Sequence, residues 1–240
     1  MAEETIKKID MLFKDLEIRV DKKIRIMMKD YVKLLVKGME KVRLTGEKTE
    51  HGIIEKQLYD AIYPLKDIKI EENSNLLDLG SGGGLPGIPI KVVRPELKVT
   101  LVESNRKKAN FLKETINILN LHDINVINDR VESIGQDLRH REKYDYVFCR
   151  AVAKIAVLAE LSFPLLKIGG KAIFYKGPRG EEDFEDAKNA LNICGGFLES
   201  IKKYNLKTGE ERKLYVIEKI KVTPDRYPRK PGLPGKKPIH

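Results

Sequence analysis

The chain has 240 residues, a formal net charge of +10 and a pI near 9.3, with 41% hydrophobic and 34% charged residues. That balance is ordinary for a soluble globular protein, and the length fits one full domain with an appendage. The basic excess favours an anionic partner, nucleic acid first. Cys149 and Cys194 lie 45 residues apart, which excludes a zinc-ribbon spacing or a disulfide framework. No apolar run approaches the ~18 residues of a membrane span, and the charged start MAEETIKKID is unlike a signal peptide. The chain reads as a cytoplasmic protein with reduced thiols and, lacking a coiled-coil seam, as a monomer.

Residues 4–66 read as two or three helices. Leu12, Leu16, Val20, Ile24, Met27, Met28, Tyr31, Leu34, Leu35, Met39 and Val42 recur at steps of three and four, the signature of one buried face. The turn around Gly46 breaks the stripe and IIEKQLYDAIYPL resumes it. We take residues 1–70 as a helical extension.

From residue 75 short apolar runs alternate with amphipathic stretches. NLLDLG, LKVTLVES, INVIND, YDYVFCRAV and KAIFYKG read as strands. Helices fall near 87–94, over NRKKANFLKETINILNL, over KIAVLAELSFPLLKIGG closed by Gly169 and Gly170, and over EEDFEDAKNALNICGG. FLESIKKYNL and RKLYVIEKIK then follow as two strands with no helix between them. Alternation of this kind predicts an α/β fold, a mostly parallel seven-stranded sheet over residues 71–222, with one of the last strands antiparallel at the edge.

The tail TPDRYPRKPGLPGKKPIH, residues 223–240, holds five of the eleven prolines and five cations against Asp225. Proline at that density argues against helix or central strand. It reads either as a disordered solubilising tail or as a basic extended arm on an anionic surface.

The chemistry concentrates in DLGSGGGLPGIPI. Gly82, Gly84 and Gly87 fit G-x-G-x-x-G between a strand and a helix, where glycines permit positive φ and close backbone approach. Pro86 has no N–H for a phosphate, and no Walker lysine follows. Asp78 would repel a pyrophosphate, yet can steady the loop or face a cation. Glu103 ends the next strand, where an acid binds ribose hydroxyls. This pattern resembles the cofactor loop of class I (Rossmann-like) S-adenosylmethionine-dependent methyltransferases, whose cofactor carries a nucleoside and a sulfonium but no phosphate. The loop glycines, Gly80 and Gly82 among them, would make room for its methionine end. Asp129, Val131 and Glu132 would then meet the adenine.

Cys149, Arg150 and Lys176 should face the site, because open parallel sheets bind ligands at the carboxyl ends of strands. CRAV stands where amine-methylating enzymes carry Asn/Asp-Pro-Pro-aromatic, so an exocyclic amine is disfavoured as acceptor. A covalent role for Cys149 is disfavoured too, since buried thiols are usually inert. A ring nitrogen with a free lone pair needs no base, so we assign no catalytic residue and no metal ligand.

DLGSGGGLPGIPIKV, DRVES, RAVAKIAVLAEL and YPRKPGLPGKKPI closely resemble the glucose-inhibited division protein B family, small-subunit methyltransferases acting on guanine N7 of 16S ribosomal RNA. The resemblance runs from about residue 42 to the C-terminus. It implies S-adenosylmethionine as cofactor, 16S RNA or a small-subunit assembly intermediate as partner, and cofactor contacts at Gly80, Leu85, Val131, Glu132 and Arg150. Glu103 matches the ribose acid of the wider fold. Arg130, Lys176 and the tail with Arg229 and Lys230 would meet RNA. Gln57 and Ala61 depart from a histidine and a serine common in the family. Tyr175 is the candidate platform for the target base. The rival readings are a nicotinamide-dependent oxidoreductase and an RNA-binding module with an inactive pocket.

Overall fold

A computed structural model describes residues 2–150 and 153–239. The chain opens with α1 (Ala2–Asp15) and α2 (Lys22–Gly38). Asp21 caps α2, its carboxylate accepting from Ile24 N at 2.8 Å, and Met28, Tyr31, Val32 and Leu35 form its buried face. A loop leads to α3 (Glu50–Gly52), a π-helical turn over Ile53–Leu58, α4 (Tyr59–Ile62) and α5 (Pro64–Asp67). These elements make the helical cap predicted from the apolar stripe.

The remainder alternates as expected: β1 (Asn75–Leu79), α6 (Gly87–Val93), β2 (Lys98–Val102), α7 (Arg106–Ile118), β3 (Ile124–Ile127), α8 (Val131–Gln136), β4 (Tyr144–Arg150), α9 (Ile155–Ser162), β5 (Leu166–Lys176), α10 (Gly180–Cys194), β6 (Gly196–Asn205), β7 (Glu211–Lys219) and a last turn, α11 (Leu233–Lys236). The seven strands form one sheet in the order β3-β2-β1-β4-β5-β7-β6. The first five are parallel, and β7 runs antiparallel to both β5 and β6. One core lies between the sheet and the helical cap with α6 and α7; the other lies on the opposite face, under α9 and α10.

The structure corrects four expectations. The antiparallel strand is not at the edge: β7 sits inside and β6 is the edge. The helix predicted to run to Gly170 stops at Ser162, and Leu166 already pairs with Tyr144 as the start of β5. Gly169 and Gly170 form a bulge, across which pairing jumps from Tyr144–Leu166 to Tyr146–Lys171. A Cβ on Gly170 would sit 2.9 Å from the Lys167 carbonyl oxygen, so tight packing, not a helix stop, requires glycine there. Helix α8 lies between β3 and β4, where only a strand end was read.

The tail is the fourth case. Thr223, Tyr227, Pro228, Pro234 and Ile239 are buried, and the segment is packed against α8 and α9. Arg141 donates to the carbonyls of Thr223 and Tyr227, both at 2.8 Å. Gln136 donates to those of Asp225 and Pro228. Prolines suit such a strap: side chains of the body satisfy its carbonyls, so the missing N–H groups leave nothing unpaired.

Candidate active site

The glycine loop is held from three sides. Gly80 N and Ser81 N both donate to the Val102 carbonyl, at 2.9 and 3.0 Å, which ties the loop to the end of β2. Below it, the buried Asp78 carboxylate accepts from Gly87 N at 3.0 Å, at the start of α6. At the rim, Glu103 accepts from Gly82 N at 2.9 Å and from Asn105 N at 2.7 Å. From above, Tyr31 of α2 donates to the Gly83 carbonyl at 2.8 Å. The helical cap is therefore part of the loop's support.

Three loop glycines adopt φ values open to glycine: +75° at Gly80, +58° at Gly82 and +95° at Gly84. At Gly87 the reason is space, since a Cβ would lie 2.4 Å from Leu101 Cδ2 and 2.9 Å from the Asp78 carboxylate. Burial pushes the Asp78 carboxyl up to about 7, against the Gly87 N–H and the Arg150 charge that hold it down.

Gly80, Gly82, Leu85 and Arg150 line one cleft of about 580 Å³, within the range of small-molecule sites. Its other walls include Val42, Arg43 and Leu44, in the loop after α2, with Gln57, Asn105 and Lys108. At its inner end Arg150 Nε donates to Asp60 at 2.6 Å and Nη2 to Gln57 Oε1 at 2.6 Å. Asp60 also accepts from the Tyr204 hydroxyl at 2.5 Å, and the Tyr204 ring stacks on Tyr63 with centroids 3.7 Å apart. Gln57, a departure from the family pattern, thus takes a definite place as an acceptor for Arg150.

Other predicted residues sit outside this cleft. Val131 and Glu132 open α8, and Glu132 accepts from Gly232 N at 2.8 Å and from Arg130 at 3.1 Å. Burial would raise the Glu132 carboxyl, but those donors hold it below its ordinary value. Asp129 is exposed and accepts from Arg130 N.

Lys176 is ion-paired with Asp183 at 2.7 Å and lines a separate hollow beside Lys154 and Arg179. Arg229 grips the fully buried Glu160 through Nε and Nη2, at 2.8 and 2.6 Å, while Lys230 is exposed. Tyr175 is buried with its hydroxyl donating to the Ala61 carbonyl at 3.0 Å, so it offers no platform to a base. Cys149 is fully buried and its thiol is pushed well up by desolvation, as a structural cysteine would be.

Sequence reading missed Tyr31, Asp60, Arg43, Leu44 and Lys108. Asp60 stands inside the quoted EKQLYDAI, but nothing local to that segment marks its partner.

The residues present fit S-adenosylmethionine. The cradle at Gly82 is open, with no heavy atom nearer than 3.7 Å to where a Cβ would stand, so a side chain there would fill it. Beneath the loop, Asp78 Oδ1 is buried without a hydrogen-bond partner, which leaves one acceptor position open under the glycines. Glu103 keeps lone pairs beyond the two N–H groups it accepts, enough for ribose hydroxyls.

Comparison with known proteins agrees. Solved structures with the same fold include the M. jannaschii protein TYW2 in complex with AdoMet, with a TM-score of 0.56 at 20% identity over 76% of this chain and 80% of that one. A SAM-dependent methyltransferase from Aquifex aeolicus matches with a TM-score of 0.52 at 17% identity, over 76% and 96%. At such identities the likeness is one of fold. Two closer relatives are named ribosomal RNA small subunit methyltransferase G. The protein from Pelotomaculum thermopropionicum is 43% identical over 222 residues, covering 91% of this chain and 92% of the relative. That from Staphylococcus aureus is 40% identical over 210 residues, covering 87% of each. The family model for GidB, rRNA small subunit methyltransferase G, matches residues 25–215, and the chain belongs to that family.

Proposed function

We propose that this chain transfers the methyl group of S-adenosylmethionine to N7 of a guanine in small-subunit (16S) ribosomal RNA. The observation that carries the reading is the cleft over a glycine loop clamped by Asp78 and Glu103, in a chain of this family. Gly80, Gly82 and Leu85 receive the methionine end, Glu103 the ribose, and Val131 and Glu132 the adenine. Arg150 is fixed by Asp60 and Gln57 through Nε and Nη2, which leaves Nη1 to donate to the cofactor's carboxylate.

When bound, the cofactor supplies an electrophilic methyl on a sulfonium. The protein's part is placement. The N7 lone pair lies in the base plane and needs no deprotonation, so aligning it with the methyl provides the rate enhancement. That role suits a cleft lined by the cations Arg43, Lys108 and Arg150 and the amides of Gln57 and Asn105. RNA contacts fall to Arg130, Lys230 and other exposed cations. The chain works as a monomer in the cytoplasm, with residues 1–70 and 223–240 serving the 71–222 catalytic domain. No helix of the described residues is long and apolar enough to cross a membrane.

Radiolabelled S-adenosylmethionine, undermodified small subunits and free 16S RNA test the reading. Label should appear in 7-methylguanosine after nuclease digestion. Cofactor binding by calorimetry without transfer to either RNA would refute the substrate and keep the cofactor.

A further inference from the structure

A second hollow, of about 440 Å³, lies between the C-terminal end of α2 and the outer face of α7. It shares Val42 as a wall with the cofactor cleft, so the two adjoin. Lys37, Lys41 and Lys107 line it. Arg43 and Lys108 line the adjoining cleft. Among the described residues none of these five cations makes an ion pair, and Glu114 is the single carboxylate lining either hollow.

Two cations named as RNA contacts from the sequence, Lys176 and Arg229, are instead held by Asp183 and Glu160. Lys107 and Lys108 also occupy the first turn of α7, which carries no acid. The helix dipole disfavours cations there by a few tenths of a kcal/mol, and the excess field favours an anion. Between the lysines the surface is apolar: Phe111 packs under Gly38, and Ile118 is 63% exposed.

Unpaired cations spaced along an apolar trough match single-stranded nucleic acid, whose phosphates take the charges and whose bases take the apolar surface. We infer that the RNA strand flanking the target guanine runs along this α2–α7 trough. Its phosphates lie on Lys37, Lys41 and Lys107, and it enters the cofactor cleft past Arg43 and Lys108. This rests on the methyltransferase reading above and moves the main RNA contact from the tail to the helical cap.

The test compares two charge-reversed forms of the full chain. One carries Lys41→Glu and Lys107→Glu; the control carries Lys22→Glu and Lys23→Glu, at the far end of α2. Each is assayed for 16S RNA binding across salt, for methyl transfer, and for cofactor affinity by calorimetry. The trough variant should raise KM for RNA at least about tenfold and flatten the plot of log Kd against log salt by about 1.4, two single-strand phosphates' worth. Its kcat and cofactor affinity should stay within about twofold of wild type, because neither lysine touches the cofactor cleft. A trough variant whose KM and salt slope match the control's would overturn the assignment. Wild-type protein that binds RNA with a trough-dependent slope, yet transfers no methyl group, keeps the trough and refutes the activity. Wild-type protein that binds acidic proteins but no 16S RNA sinks both.

Discussion

Arg150, at the end of β4, donates to Asp60 of α4 across 2.6 Å, with the two side chains only 12% and 6% exposed. The bond spans 90 residues of chain and joins the helical cap to the carboxyl edge of the sheet. It also decides which way the guanidinium faces at the inner end of the cleft.

Removing the charge of Asp60 should therefore affect both stability and binding. Asp60→Asn keeps the shape and an acceptor for Tyr204 but leaves Arg150 without its counter-charge. Breaking a buried pair costs about 3–5 kcal/mol when the partner stays buried; the residual amide bonds put this variant at roughly 2–3. Urea unfolding measures it, and calorimetry should show cofactor Kd raised about tenfold. Unchanged values for both would mean the pair is incidental.

The loop offers a steric test. Gly87→Ala places a methyl 2.4 Å from Leu101 Cδ2 and against the Asp78 carboxylate, which should destabilise the protein by about 1–3 kcal/mol, the usual penalty of overpacking. Gly80→Val, at φ +75° in the cleft wall, should abolish cofactor binding while the far-ultraviolet circular dichroism stays native.

Asp78 gives a pH dependence with a definite sign. Its carboxyl is raised from 3.8 to about 7 in the folded protein, so between those values the native state holds a proton that the unfolded chain has lost. Stability from this group is full below about pH 4 and falls as pH rises to about 7, by on the order of 4 kcal/mol. Asp78→Asn removes that titration. The difference in unfolding free energy between wild type and variant should shift in favour of the variant from pH 5 to pH 8. A constant difference would show that Asp78 is not raised.

At the tail, Arg229 and Lys230 are adjacent but opposite in consequence. Arg229→Ala strands a carboxylate, Glu160, with no exposed surface, and should cost about 3–5 kcal/mol. Lys230→Ala alters an exposed residue and should stay within about 0.5 kcal/mol. Thermal melts compare the two. Deleting residues 223–240 should lower cofactor affinity as well, because Glu132 loses the Gly232 N–H; retention of full affinity would count against a cofactor role for Glu132.

How much was legible follows from how local each signal is. The glycine loop, Asp78 and Glu103 declare themselves because their partners lie within about 20 residues, and strand–loop–helix context makes the pattern specific. Arg150 was found by its place at a strand end, but Asp60 was not, since only the folded chain brings α4 to β4. Tyr175 looked available at the end of β5 and is instead buried under Ala61. The segment FPLLKIGG reads equally as helix or buried strand by periodicity, and only pairing with Tyr144 settles it. Composition suggested a free or extended tail, because it counts prolines and charges but not the body's donors, Arg141 and Gln136, that wait for the tail's carbonyls.

The place of β7 between β5 and β6 also constrains how the protein is made. As the chain leaves the ribosome, β6 emerges before the strand it pairs with, because its neighbour β7 is synthesised after it. The slot beside β5 stays open until Glu211–Lys219 arrives to fill it. A nascent chain halted before residue 211 would expose one unpaired edge on β5 and a loose strand beside it, an invitation to association with other chains. Sheet closure is thus a late event in synthesis, completed just before the proline strap is laid down against α8 and α9.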